Sequence, residues 1–327
     1  MDKTIKSIKK YVINAKPDSL RNYAIIFIFI FLIIFFGFAS PHFLQQENLF
    51  IIARQVTMLG ITAVGMTFVM IAGGIDLSVG SVLSLVSVVC AKLMVEVGLH
   101  PIIAVLLTLM MCVFIGVING FFINKLKIPS LIVTLGTMTI IRGISYILSS
   151  GRHIWGFSES FRILGQGYLG PVPIPVIVTI FIFLLGGYLL NRTAFGRWTY
   201  GIGDNEEATR LSGINVQKMK YLLYILSSSL AGIAGLVLLS RMGSGQPKVG
   251  TGFELEVVTA VVLGGISVYG GEGKLRNAIF GVLIIGILEN GMILLNVSDY
   301  FQQVILGLVL LGAVGFDNKM SGRLKQD

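Results

Sequence analysis

The chain alternates long apolar runs with brief polar interruptions. A helix needs roughly 20 mostly apolar residues to cross hydrocarbon, and ten stretches approach that length: 22–40, 55–73, 79–97, 101–123, 129–149, 172–190, 219–240, 254–269, 277–296 and 300–316. The pattern predicts an all-α integral membrane protein of about ten transmembrane helices. The first run follows a basic segment and ends near Gly37-Phe38-Ala39, as a cleaved signal would. Its uncharged stretch reaches from Asn22 to Pro41, a full span, so it is read as an uncleaved anchor.

Composition agrees. The 327 residues are 54% apolar and 13% charged, about half the charged share of a soluble domain. Disorder is excluded, because it requires low hydrophobicity. The net charge of +9 does not indicate nucleic acid, since the basic residues lie between apolar runs, where they record membrane orientation. Counting from a cytoplasmic start, one side collects 18 of the 25 Lys and Arg residues. The other side holds Arg54, Arg152, Arg162, Arg241 and Lys248, while Lys92 and Arg142 fall within spans. Both termini are therefore expected in the cytosol, with 1–21 and 317–327 as tails around a membrane-spanning bundle at 22–316.

Two connections are long for helix–helix links. The external one, 150–171, carries Trp155, Phe157, Phe161 and Tyr168, followed by Pro171, Pro173 and Pro175; it reads as an aromatic belt or a docking surface. The cytoplasmic one, 191–218, holds a well-signalled short helix. Asp204 or Asn205 can cap it, Glu206 and Glu207 fill its first turn, Ala208 follows, Arg210 stands in the last turn and Gly213 ends it. Glu206 and Arg210 are spaced as an i,i+4 pair. Two turns are marginal alone, so this helix must pack on the chain itself or in a partner's groove.

Within the spans, Gly116 and Gly120, and the small residues Ser228, Gly232, Ala231 and Gly235, recur at helix-packing spacing. The stretch Gly73-Gly74-Ile75-Asp76-Leu77-Ser78 breaks an apolar run; it is either a tight turn or a pair of broken helix ends lining a polar passage. Asn119, Arg142, Glu289 and Asn290 join Gly73, Gly74 and Asp76 as candidates for a translocation path, because polar groups in a membrane are functional hypotheses. Lys92 and Glu96, one turn apart near a helix end, read as a local pair. Neither Arg142 nor Glu289 belongs to an evident chain of carboxylates or histidines, and His42, His100 and His153 lie outside the spans, which weakens proton coupling. Cys90 and Cys112 read as core residues, and no metal set is suggested. The glycine-rich stretch up to Lys274 is not a phosphate loop, because Val268 and Leu275 stand where Gly and Ser or Thr are required. No catalytic motif appears, no cofactor is implied, and an enzyme is not expected.

Four stretches, GITAVGMTFVMIAGGIDLSVGS from Gly60, KIPSLIVTLGTMTIIRG from Lys127, FGRWTYGIGDNEEATRLSGINV from Phe195 and GTGFELEVVTAVVLGGISVYGGEG from Gly250, resemble the permease subunits of bacterial ABC importers for monosaccharides, the ribose, xylose and galactoside group. The resemblance runs in order from about 45 to 318. It implies a multi-pass protein of the bacterial cytoplasmic membrane working with a second permease copy, a separate ATPase subunit and an external sugar-binding protein. It places the coupling contact on Asn205, Glu206, Glu207, Ala208, Arg210 and Gly213. The five outer cations are the candidates for docking the binding protein. The competing expectation is an ion-coupled secondary carrier built from inverted five-helix halves.

Overall fold

The computed structural model describes residues 17–320. Lys3, Lys6, Lys9, Lys10, Lys16, Arg323 and Lys325 of the expected cytoplasmic tails lie outside the described residues. The described chain is mostly helical: α1 Pro17–Ala39, α2 Gln46–Ile71, α3 Val79–Val95, α4 Pro101–Lys125, α5 Ser130–Ser149, α6 Glu159–Gln166, α7 Ile174–Arg192, α8 Ala194–Asp204, α9 Glu206–Leu211, α10 Val216–Met242, α11 Phe253–Leu263, α12 Leu275–Leu294 and α13 Asp299–Met320. A two-residue antiparallel pair, β1 Tyr168–Leu169 with β2 Val172–Pro173, sits between α6 and α7.

Among the described residues, seven helices are long and apolar enough to cross a membrane: α2, α4, α5, α7, α10, α12 and α13. Ile25–Ala39 and α3 are shorter apolar helices. The chain is thus an all-α membrane protein. Its surface is correspondingly apolar, with Phe27, Phe31, Phe38, Met110, Leu184 and Leu308 all exposed. In water such a surface is a liability, but in lipid it is solvated.

The 27-residue α10 is the axis of the bundle, packing on α2, α3, α4 and α6. Small residues make these close approaches feasible: Gly116 lies against the Ile225 backbone, Gly120 against Tyr221, and Gly232 against the Cys112 sulfur. Cys90 and Cys112 are free and fully buried. One end of α10 adjoins α8 and α9, and the other adjoins α6, which defines two opposite faces of the molecule.

Two helices are interrupted within the bundle. After α2 ends, residues 72–78 fold back, since Asp76 reaches Ser227, midway along α10, and Gly65 of α2 packs against the same Ser227. Gly65 is about 9 Å of helix rise from Ile71, so α3 begins inside the protein and not at its surface. The second interruption precedes α11. Residues 243–252 run irregularly alongside α3, where the Gln246 and Gly250 amides donate to Ser87 and Ser84 at 2.9 and 2.8 Å. The eleven-residue α11 rises only about 16 Å, roughly half a hydrocarbon core. Helix is expected over 254–269, but it stops at Leu263 because the chain turns through Gly264 and then Gly265, whose φ is 82°. The beginnings of α3 and α11 touch: a Cβ on Gly250 would overlap the Gly80 carbonyl oxygen.

Candidate functional site: a polar path through an interrupted bundle

On the α9 face, Asn205 and not Asp204 caps α9, its side-chain oxygen accepting from the Ala208 amide at 2.9 Å. The expected Glu206 to Arg210 pair is replaced. Arg210 donates to Glu207 at 2.9 Å, three residues away, while Glu206 receives Lys220 of α10 at 2.7 Å. The reason is reach: Lys220 comes up beside the first turn and offers Glu206 a tertiary partner. The Arg210 guanidinium holds the Glu207 carboxyl below the usual carboxylate range. Gly213 has φ 83°, as a helix-ending glycine requires. The inward side of α9 packs on α8 through the buried Thr209 against Gly201, whereas Glu207, Arg210 and Leu211 face outward.

Beneath α9 opens a cavity of about 860 Å³ whose walls include Gly73, Gly74, Asn124, Lys127, Lys220 and Tyr224, with Glu206, Glu207 and Arg210 at its rim. Asp76 does not line it. That carboxylate is fully buried and accepts from the Ser78 amide at 3.0 Å, the Ser78 hydroxyl at 2.5 Å and the Ser227 hydroxyl at 2.7 Å. Asn119 donates to the Ser78 hydroxyl at 3.1 Å and accepts from Thr137 at 2.7 Å. Four segments, 72–78, α4, α5 and α10, are thereby tied by one satisfied network, which a buried polar group needs. Of the two readings of the 73–78 stretch, the glycines border a cavity and the acid closes the wall behind them.

Arg142 on α5 pairs with Glu254 in the first turn of α11 at 3.2 Å. Glu289 on α12 accepts from Gln55 at 3.0 Å and lines the same cavity as Glu256. Arg142 and Glu289 therefore do have acidic neighbours, contrary to their isolation in the sequence. A second cavity, about 400 Å³, is lined by Gln55, Glu256 and Glu289, and Leu238 in its wall places it toward the α6 end of α10. Asn290 is elsewhere: its amide exchanges reciprocal 2.9 Å hydrogen bonds with Asn48 and is buried. Lys92 and Glu96 form their local pair at 2.8 Å, and the Lys92 ammonium also donates to the Leu148 carbonyl at 2.9 Å.

The residues missed in the sequence are Gln55, Glu254, Glu256 and Ser227, while Ser78, read only as part of the 73–78 break, joins Asp76 to Asn119. Glu254 and Glu256 carried a signal, two acids opening an apolar run, which suits a helix N-terminus. Gln55 carried none, being a single neutral polar residue at a helix start.

On the α6 face, Ser240 accepts from the Gly165 amide and donates to the Phe161 carbonyl, both at 2.7 Å, seating α6 on the end of α10. Phe157 and Phe161 are buried, while Trp155 and Tyr168 are exposed. Arg54 lies 4.6 Å over the Tyr168 ring and close enough to Arg241 for direct repulsion. The Nε atoms of Arg54 and Arg162 are buried without a hydrogen-bond partner. None of Arg54, Arg152, Arg162, Arg241 and Lys248 forms an ion pair among the described residues.

A family model described as "Branched-chain amino acid transport system / permease component" matches residues 48–314, from the start of α2 to near the end of α13. The chain belongs to this permease family. Among its relatives, the "Ribose import permease protein RbsC" of Bacillus subtilis (strain 168) is 42% identical over 292 residues, 89% of this chain and 90% of the relative. The "L-arabinose transport system permease protein AraH" of Escherichia coli (strain K12) is 42% identical over 307 residues, 90% of each chain. The "D-allose transport system permease protein AlsC" of the same strain is 34% identical over 301 residues, 91% of this chain and 92% of that one. No solved structure matches. For a permease, the interrupted helices have a physical rationale, since irregular backbone survives at membrane depth only against protein or a polar cavity.

Proposed function

We propose that this chain is the membrane permease subunit of a bacterial ABC importer for a monosaccharide, with a ribose-like sugar favoured. The observation that carries the reading is near end-to-end identity of 42% with permeases named for ribose and for arabinose. The family description mentions branched-chain amino acids, but every relative named above is a sugar permease. The chain itself is a transport subunit and not an enzyme; the energy comes from a separate ATPase.

The helix α9 is the coupling element. It is capped by Asn205, fixed to α10 through Glu206 and Lys220, and presents Glu207, Arg210 and Leu211 outward. It also forms the rim of the 860 Å³ cavity, so force applied to α9 acts where a solute would leave. The α9 face is cytoplasmic on the distribution of Lys and Arg, which gives ten crossings with both termini inside the cell. On the outer face, Arg54 and Arg241 lie near one another, Arg162 projects from α6 on the same face, and none has a carboxylate partner among the described residues, which suits an acidic patch on a sugar-binding protein. A second permease copy fits α5 and α13: Gly136 and Gly143 on one, Gly307 and Gly315 on the other, have open space where a Cβ would stand. Small residues left uncovered in lipid favour close helix packing.

The test is transport in vesicles. Uptake of D-ribose, L-arabinose or D-allose is expected only when the permease, the ATPase and the binding protein are all present with ATP. The purified permease alone should neither hydrolyse ATP nor accumulate sugar. Accumulation by this chain alone on a proton or sodium gradient would falsify the assignment in favour of the secondary carrier.

A further inference from the structure

The cavity on the outer side lies within one chain, between helices from its two halves. Its polar wall comes from Gln55 on α2, Glu256 on α11, Glu289 on α12, and Asp299, Gln302 and Gln303 on α13. Its apolar wall includes Phe253 and Leu306. Gln55 donates its amide nitrogen to Glu289 at 3.0 Å, and its carbonyl oxygen has no hydrogen-bond partner among the described residues. No Lys or Arg lines the space, and among the described residues no group of three His, Cys, Asp or Glu could hold a metal ion. Amide and carboxyl groups facing an apolar platform, without a metal site or an anion-binding cation, suit a neutral ligand rich in hydroxyls. A sugar is such a ligand, with donor and acceptor hydroxyls around an apolar C–H face. The volume of about 400 Å³ lies within the range of small-molecule sites, roughly 300–1,000 Å³.

Position adds to the chemistry. The floor is formed near Leu83 and Phe253, at the touching starts of α3 and α11. On the far side of that contact lie the Asp76 network and then the cytoplasmic cavity at Gly74 and Tyr224. One protein layer separates the two spaces.

We propose that the outer cavity is a sugar-binding station inside a single permease chain, where Gln55, Glu256 and Glu289 hydrogen-bond hydroxyl groups and Phe253 carries the apolar face of the ring. This rests on the monosaccharide-permease reading. The solute would wait there, and separation of the α3 and α11 starts would pass it to the cytoplasmic cavity.

Leu306→Cys tests the station in right-side-out membrane vesicles holding the complete importer. Cys90 and Cys112 are fully buried, so the parent is the blank for a membrane-impermeant maleimide. Leu306→Cys should react from outside, and about 100 mM of whichever of D-ribose, L-arabinose and D-allose the vesicles take up should slow the reaction about threefold or more, with sucrose as the inert control. Adding Gln55→Met or Glu289→Gln should leave labelling intact and abolish the protection. An unreactive Cys at 306, labelling indifferent to sugar, or protection that survives both added changes each overturns the proposal. Uptake by the same vesicles reports separately on the permease reading, so the two failures are distinguishable.

Discussion

Arg142 and Glu254 show how a single residue pair can be worth less than its removal costs. The Glu254 side chain is 9% exposed and its second carboxylate oxygen has no partner, while Arg142 is 30% exposed. Removing one partner of a fully buried pair costs roughly 3–5 kcal/mol, and replacing both by apolar residues is often close to neutral. With Arg142 partly exposed, Arg142→Met should cost about 2 kcal/mol, whereas Arg142→Met combined with Glu254→Met should cost clearly less. Unfolding midpoints in detergent for the parent, both single changes and the double change decide it. If the double change is the least stable of the four, the pair contributes a net attraction and this account is wrong. Asp76 behaves differently, because three hydroxyl and amide donors already satisfy it. Asp76→Leu strands Ser227 and loosens the turn into α3, with an expected loss of about 2–3 kcal/mol in the same assay.

At the scale of elements, α9 is the shortest helix among the described residues and the one most dependent on its ends. Gly213 closes it at φ 83°, and a β-branched residue there costs about 1–2 kcal/mol. Gly213→Val should therefore fray α9 without disturbing membrane insertion, and so uncouple ATP hydrolysis from uptake. Glu207→Lys should leave the helix in place, since Asn205 still caps it, but place a cation beside Arg210 and weaken retention of the ATPase. Copurified ATPase and sugar uptake, measured at matched permease levels, separate the two effects; parental behaviour of both variants would reduce α9 to a surface helix. The cap, the acids and the terminal glycine of α9 were all legible in the sequence because each acts within a few residues of its neighbour. The pairing of Glu206 was not, because Lys220 approaches from the next helix. The interruption at 72–78 was legible in part, because glycines marked it, whereas 243–252 read only as a gap between two apolar runs; the depth of a break is set by which helix it packs against.

For the whole molecule, hydropathy located helices at the expected places, since lipid leaves few other options for a backbone. What periodicity could not show was that α11 is a half-length helix whose start meets that of α3, a contact between residues about 170 positions apart in sequence. Nor could it show which of the five cations on the α6 side come near one another. Arg54 comes from α2, Arg162 from α6 and Arg241 from α10, and the fold brings them to one face, while Arg152 and Lys248 are exposed singly. Arg54 and Arg241 repel one another, so an acidic partner gains from relieving that repulsion as well as from direct attraction. Complementary charge chiefly raises encounter rates and is screened by salt, with a Debye length of about 8 Å at physiological ionic strength. Charge reversal at Arg54, Arg162 or Arg241 should slow binding-protein-dependent uptake about tenfold at low salt and flatten its dependence on ionic strength. Reversal at Arg152 or Lys248 should have little effect. Initial uptake rates across a salt series, at matched permease levels, give the comparison. If all five variants keep the parental rate and salt slope, the binding protein docks on the exposed Trp155 and Tyr168 surface and not on the arginine cluster.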